Sequence, residues 1–457
     1  MSFLGIQIND VAITGVADGQ VVFTEPGCAA VEDGRILFGD AALRLAGKSP
    51  RAFFDRYWHE LSEKPVATDI DSLSTQVDLA HAQLEHLWAK AGVATDSAGI
   101  ALPSYWSRDQ IALLLGICEE IGIPVEGMAE ISVAATRRLY PGHALIHLEM
   151  FAHATTLSPV DQADSPSVAQ STLLDNVGVV SLRRGCIEFF AQRFLECSRF
   201  DPLHDAESEQ QAYDRLDEWL SQSKSADDTE IEFVSADGKH TAQVAAAELT
   251  GSLRRYYQPL LQSLRAHLQQ DKPTVLQMDP RLMNYPGLVG LLDDLPGCMS
   301  FVLESDAAAR GLAARQTYLV RQDSGITVSG TLPWDQAPAE VGGGQVSVTD
   351  GAAVPSHLVA GNTAYRLGAT PLRIGTETLD GEYGLSIDRR HTGVSRRHCG
   401  IEVDGGCVVL NDYSRYGTRL NGHKVDGSVV LQVGDVVTLG DPPCELKLIA
   451  ETGPHGT

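Results

Sequence analysis

Residues 394–422 read VSRRHCGIEVDGGCVVLNDYSRYGTRLNG. Inside this stretch HCGIEVD and CVVLND have the alternating pattern of half-buried strands. The runs Ser395-Arg396-Arg397-His398 and Ser414-Arg415-Tyr416-Gly417-Thr418 fall between predicted strands. A phosphate is held by charged donors in a fixed fork, together with hydroxyl or backbone N–H groups, on loops carried by a rigid sheet. Each run alone reads as turn chemistry, with Ser and His tying a loop locally and solvated arginines. Two such loops at one end of a sandwich point instead to an anion site.

Outward from this stretch the chain stays all-β. AYRLG, PLRIG, VVLQVGDVVTLG and ELKLIA are short strands with turns between them, which implies a sandwich or barrel. From Gly361 to Ala450 ten Lys and Arg face eleven Asp and Glu, a net charge of −1 that leaves −24 of the total −25 for the rest of the chain. Residues 321–360 are rich in Gly, Pro and Ser; the part from 321 to 353 is read as a linker.

The ordered series Gly375-Thr376, VSRRH, VLNDYSRYGTRLNG and LQVGDVVTLG resembles a forkhead-associated (FHA) domain over residues 354–450. That family is a β-sandwich whose end loops bind phosphothreonine peptides. The resemblance implies that Ser395 bonds the phosphate, that Arg396 extends the same loop, and that His398 braces it. Gly375 stands before the first loop, Gly417 and Thr418 match the residues that shape the second loop, and Asn421-Gly422 match the turn after it. Two positions depart from the pattern. Thr376 replaces the usual arginine after Gly375, and Tyr416 replaces the asparagine that holds the ligand backbone. Arg415 is the expected substitute donor. Ser395, Arg396, Arg415, Tyr416, Thr418 and Asn421 are thus the expected peptide-binding residues.

Residues 1–320 mix short apolar strands with helices, an α/β pattern. VDLAHAQLEHLWAKAG sets Leu79, Ala82, Leu84, Leu87 and Trp88 near one helical face, and Ser107 is placed to cap the next helix. Phrases such as ILFGDAALRLA, IALPSYWSRDQ, GIPVEGMAEISVAATRRLY and SDAAARGLAARQ resemble, in order, the nucleotide-binding domain of DnaK-type heat-shock chaperones. The resemblance implies a two-lobed actin-like ATPase fold followed by the all-β FHA sandwich. Phosphoryl transfer in such a cleft needs Gly-rich hairpins and carboxylates that hold hydrated Mg²⁺. Here Gln7 stands for the catalytic carboxylate, Asn9 for a glycine, and Asp10 is out of phase. His147 and Glu149 fall in the second hairpin, Pro280-Arg281 on the adenosine turn, and Asp217 where a lysine should embrace the base. These losses predict a pseudo-ATPase without a cofactor, with ATP or ADP and Mg²⁺ disfavoured.

His147 and Glu149, two apart on a strand, share a face as a metal pair would, but no second cluster at ligand spacing accompanies them and no metal is expected. The acidic net charge argues against nucleic acid and anionic membranes. Eight cysteines without a C-x-x-C pair, and no long apolar segment, suggest a reducing, cytoplasmic setting. The expectation is a non-catalytic adaptor whose FHA domain binds a phosphothreonine-bearing or acidic partner, marked by a Ser/Thr kinase. The alternative is a DnaK-like nucleotide-binding ATPase or chaperone regulated through that domain.

Overall fold

Two nearly uninterrupted apolar runs, FLGIQ at Phe3–Gln7 and TVLQM at Thr274–Met278, are buried along their whole length and lie inside two sheets. Strands covered on both faces need such runs. The computed structural model describes residues 2–68, 70–92, 95–224, 228–235, 238–268, 272–319, 326–339, 354–368, 370–377, 383–404, 407–425 and 427–450.

The first sheet runs Gln20–Glu25, Ile13–Ala17, Phe3–Gln7, Ser97–Leu102, Val125–Glu130, an antiparallel meander of three joined by two parallel strands. Parallel neighbours require crossovers. The helix Arg108–Ile121 supplies one, with Ser107 and Gln110 closing a capping box and Gly122, at φ 83°, ending it. Gln76–Ala91 precedes it, capped by Thr75 and Asp78. Its Leu79, Leu84 and Leu87 are buried, with Ala82 and Trp88 at the margin.

The second sheet repeats that order with Thr172–Asp175, Ala154–Gln162, Ala144–Met150, Thr274–Met278 and Cys298–Val302, again three antiparallel and then two parallel. The helices Val179–Ser198, Ala206–Lys224 and Ala246–His267 cover it. With them packs a hairpin, Asp228–Ser235 and Gly238–Ala245, that the sequence reading did not place. Trp219 sits among Phe190, Phe194 and Phe233, so the hairpin's Ile231 and Phe233 face inward while Asp228, Glu230 and Glu232 face out.

The second sheet does not stop at Cys298–Val302. Thr363–Arg366 pairs with it in parallel, Ser300 beside Thr363, Phe301 beside Ala364 and Val302 beside Tyr365. His357–Ala360, Cys444–Ile449, Val436–Leu439, Arg419–Leu420 and His423–Lys424 carry the sheet on, and with Pro166–Val168 beside Ala154–Gln162 at the other end it has twelve strands among the described residues. A five-stranded sheet faces this extension: Gly384–Ser386, Leu372–Gly375, Cys399–Asp404, Cys407–Asp412 and Ser428–Leu431. Leu372, Ile374, Ile401 and Leu410 meet Leu358, Leu439, Leu446 and Leu448 between the layers, in one core with the second sheet's helices. The C-terminal sandwich therefore grows out of the second sheet.

Of the stretch 321–353, residues 326–339 are described and the others lie outside the described residues. Val328–Ser329 pairs with Val125–Glu130, Leu332 and Ala339 are buried, and Asp335 pairs with Arg137. The fully buried Arg315 donates to the carbonyls of Gly311, Ala134, Thr136 and Pro333. No helix among the described residues is long and apolar enough to cross a membrane.

Candidate functional site

Gly375 closes the strand Leu372–Gly375, and a Cβ there would lie 2.0 Å from the Arg396 carbonyl oxygen. Only glycine lets the 395–397 loop cross the strand so closely. The Thr376 and Glu377 amides donate to the carbonyls of Ser395 and Arg396, each at 3.1 Å. His398 is fully buried beneath the loop, and its Nδ1 accepts the Ser395 amide at 2.9 Å. That bond assigns the ring proton to Nε2. Burial pushes the His398 pKa down against the upward pull of Asp412 and the Gly417 backbone.

Asp412 organises the second loop. It accepts the amides of Ser414 at 3.0 Å and Thr418 at 3.2 Å, and the Thr418 hydroxyl at 2.9 Å. Burial raises its pKa, but these bonds outweigh it and the carboxyl stays below its usual range. Ser414 Oγ accepts the Gly417 amide at 2.7 Å, with Gly417 in the left-handed region at φ 95°.

The loops meet where the Arg415 amide donates to Ser395 Oγ at 3.1 Å. The Ser395 hydroxyl proton has no acceptor among the described residues, so the group remains a donor toward solvent. The exposed Arg415 guanidinium lies 5.8 Å from the Tyr416 ring centre, and Tyr416 is 68% exposed. Arg396, also exposed, has Nε 3.2 Å from Glu377, which Arg389 approaches at 3.5 Å. A hydroxyl donor, an exposed guanidinium and an exposed ring thus share one end of the sandwich. Together they can hold a tetrahedral oxyanion and a chain beside it.

The family model of the FHA domain matches residues 373–440. Residues 373–440 form an FHA domain. The chain is also 29% identical over 87 residues, 19% of its length, to the kinesin-like protein Klp98A of Drosophila melanogaster, of which the match spans 7%. FHA domains are protein-interaction modules that recognise phosphothreonine peptides.

Within this FHA domain the structure brings Ser395, Arg396, Arg415 and Tyr416 to one end and sets Gly375, His398 and Gly417 beneath them. Two expected contact residues have other work. Thr418 is fully buried with its hydroxyl donating to Asp412, so it shapes the loop. Asn421, at φ 51°, donates to Asp435 at 2.7 Å and accepts the Val436 amide at 2.9 Å, which makes it a turn residue. The sequence reading missed Asp412, Glu377 and Arg389. The run Asn411-Asp412-Tyr413-Ser414 carries an Asx-turn signal that would have found the first; nothing local marks Glu377 as the partner of Arg396.

The residues placed in a degenerate nucleotide cleft form a second cluster, with one exception. Asn9 donates to Glu149 at 2.6 Å and to the Met150 carbonyl at 3.0 Å, and Asp10 accepts the Ala152 amide at 2.7 Å. Gln7 donates to the Ser305 carbonyl at 3.3 Å and accepts the Ala308 amide at 3.2 Å. These bonds tie the end of the first strand to the second half. Arg281, following Pro280 on the turn, lies 2.6 Å from Asp279 and 3.6 Å from Glu149, and His147 lies 3.3 Å from Glu149. Burial raises the Glu149 pKa, but His147, Arg281 and Asn9 outweigh it and hold it down; burial pushes Asp279 up despite Arg281.

The space left among Gln7, His147, Glu149, Arg281 and Ala308 is about 10 Å³. That is room for about one water, against the ~300 Å³ or more of small-molecule pockets. The side chains of these residues fill the centre and occupy its carboxylates. Among the described residues no group of three or more His, Cys, Asp or Glu is arranged to hold a metal ion. Asp217 is the exception: it pairs with Arg183 at 2.6 Å and lines a groove facing the FHA domain, away from the cluster. A larger cavity of about 420 Å³ opens on the far side of Arg281, with Thr14, Thr24, Glu304, Tyr365 and Tyr383 in its walls.

Proposed function

We propose that this protein is a non-catalytic adaptor that binds a phosphothreonine peptide through its FHA domain. The carrying observation is the Ser395 hydroxyl, fixed by the Arg415 amide with its proton turned to no acceptor among the described residues, beside the exposed Arg415 guanidinium. Arg415 takes the part of the arginine that Thr376 replaces, and Tyr416 offers its face to the peptide. The partner is a protein phosphorylated by a Ser/Thr kinase, in a cytoplasmic setting. A total charge of −25 speaks against nucleic acid or an anionic membrane as the ligand.

Hydrogen bonds to a charged group contribute about 1.5–3 kcal/mol, so Ser395→Ala and Arg415→Ala are each expected to weaken phosphothreonine-peptide binding by about tenfold or more. Fluorescence anisotropy with a phosphothreonine peptide and its unphosphorylated twin measures this. Wild-type affinity in both variants, or equal affinity for the two peptides, rejects the reading.

Residues 1–320 are, in this reading, a degenerate actin-like unit related to DnaK-type chaperones. The repeated strand order of the two sheets supports that kinship, and the side chains that fill the centre support the loss of hydrolysis. The cavity of about 420 Å³ beside Arg281 favours one second reading, a ligand-sensing cleft that still takes a nucleotide. Thermal melts with and without ATP and Mg²⁺ separate the two. The adaptor reading expects no shift and no phosphate release, whereas a dose-dependent rise in melting temperature would establish the alternative.

A further inference from the structure

The FHA loops look across a groove of about 890 Å³ at the second half of the molecule. One wall is the FHA domain, with Glu377, Arg389 and Arg396. The other is built by the helix Ala206–Lys224 and the strand Asp228–Ser235. Both elements aim acids into it through their own periodicity. Asp214 and Glu218 are one helical turn apart and so share a face, while Asp228 and Glu230 alternate with the buried Ile231 and Phe233.

These four acids are exposed, and none has a cationic partner among the described residues. Gln210 bonds Asp214, Gln222 bonds Glu218 and Gln243 bonds Glu230, all neutral donors. The neighbouring Asp217 and Glu232 are neutralised by Arg183 and Lys239. Arg215, a cation on this wall, is held 6.0 Å from the Phe233 ring and bonds the Glu232 carbonyl. Like charges at this spacing repel one another and weaken the elements that carry them, and such departures from local rules gather at binding surfaces.

The two walls cannot drift apart freely, because the sandwich is spliced to the second sheet through the Cys298–Val302 and Thr363–Arg366 pairing. Arg396 belongs both to the loop that carries Ser395 and to the groove. Arg396 thereby joins the Ser395 loop to the groove that the acidic wall faces.

We propose that this groove makes the FHA domain selective for phosphothreonine peptides with arginine or lysine on one flank. The inference rests on the phosphate-dependent reading of the Ser395 site. It narrows that reading, since an acidic flank would meet four unneutralised carboxylates and be rejected.

The test uses the full chain and synthetic peptides in anisotropy titrations. One set carries phosphothreonine with three arginines before it, three after it, neutral flanks or acidic flanks; a second set is the same without phosphate. One arginine-flanked phosphopeptide is expected to bind at least about tenfold tighter than the neutral one, as close charge pairs across an interface do. In a Glu218→Lys, Glu230→Lys double variant that ratio should fall to near one. Both residues are exposed, and a melting curve matching wild type confirms that the variant is folded. Equal affinity for all phosphopeptides, or an undiminished preference in the folded double variant, overturns the groove while leaving the phosphate site standing. Loss of any difference between phosphorylated and unphosphorylated peptides overturns the phosphate reading, and the groove proposal with it.

Discussion

Replacing Arg281 with methionine is expected to cost about 3–5 kcal/mol of folding stability at pH 8, the usual penalty for removing one partner of a buried ionic group. Arg281 lies between Asp279 and Glu149, with Nε donating to Asp279 at 2.8 Å. Both carboxylates are largely shut off from water, so the methionine variant would leave them without their cation in a low-dielectric site. The pH dependence gives the effect a signature. Asp279 is raised by burial even with Arg281 present, and loss of the guanidinium raises it further and removes part of what holds Glu149 down. A carboxyl raised above its unfolded value favours the fold at low pH and opposes it as pH rises through the folded value. The stability deficit should therefore be largest at pH 8 and narrow toward pH 5. Denaturant melts of wild type and variant at both pH values measure it; a deficit that is small, or the same at both, would show that the cluster is not an ion pair under strain of burial.

The same cluster shows which parts of the molecule a sequence can disclose. That Gln7 and Asn9 place amide side chains at the end of the first strand is visible in a five-residue window. What fills the space is not, because Asn9, Glu149 and Arg281 come from three segments more than a hundred residues apart and meet only through sheet order. The FHA loops lie at the opposite extreme. Ser395 bonds His398 three residues away, and Asp412 bonds Ser414 and Thr418 within six, so their geometry is turn chemistry and legible as such. Thr418 carries the loop-shaping part that the resemblance implied, since its hydroxyl turns inward to Asp412. Arg396 was legible as a basic loop residue, but its pairing with Glu377 depends on how the strand ending at Gly375 lies under that loop. The acidic wall had a visible signal that went unread: Glu230-Ile231-Glu232-Phe233 alternates polar and apolar, and only its docking beside Trp219 gives the outward acids a place to act.

Shortening the chain by residues 354–457 is expected to leave a product that aggregates. An independent sandwich on a flexible tether could be removed with no effect on the rest. Here removal uncovers Cys298–Val302, whose amides and carbonyls now pair with Thr363–Arg366, and turns an interior strand into an apolar edge. Such an edge is a template for pairing with other chains. The loss also reaches the core, because Phe301 packs against His357 at 5.6 Å between ring centres, Tyr383 donates to the Val302 carbonyl at 3.4 Å, and Thr363 donates to Asp293 at 3.3 Å. In calorimetry the intact chain should show the second sheet and the FHA domain melting in one transition, since a shared ladder and a shared apolar cluster couple them. Size-exclusion chromatography and dye binding to exposed apolar surface test the shortened chain. A monomeric product that melts as cooperatively as the corresponding part of the full protein would refute the spliced sheet. It would also free the FHA domain from the second half, and with that the acidic wall would have no fixed position opposite Arg396.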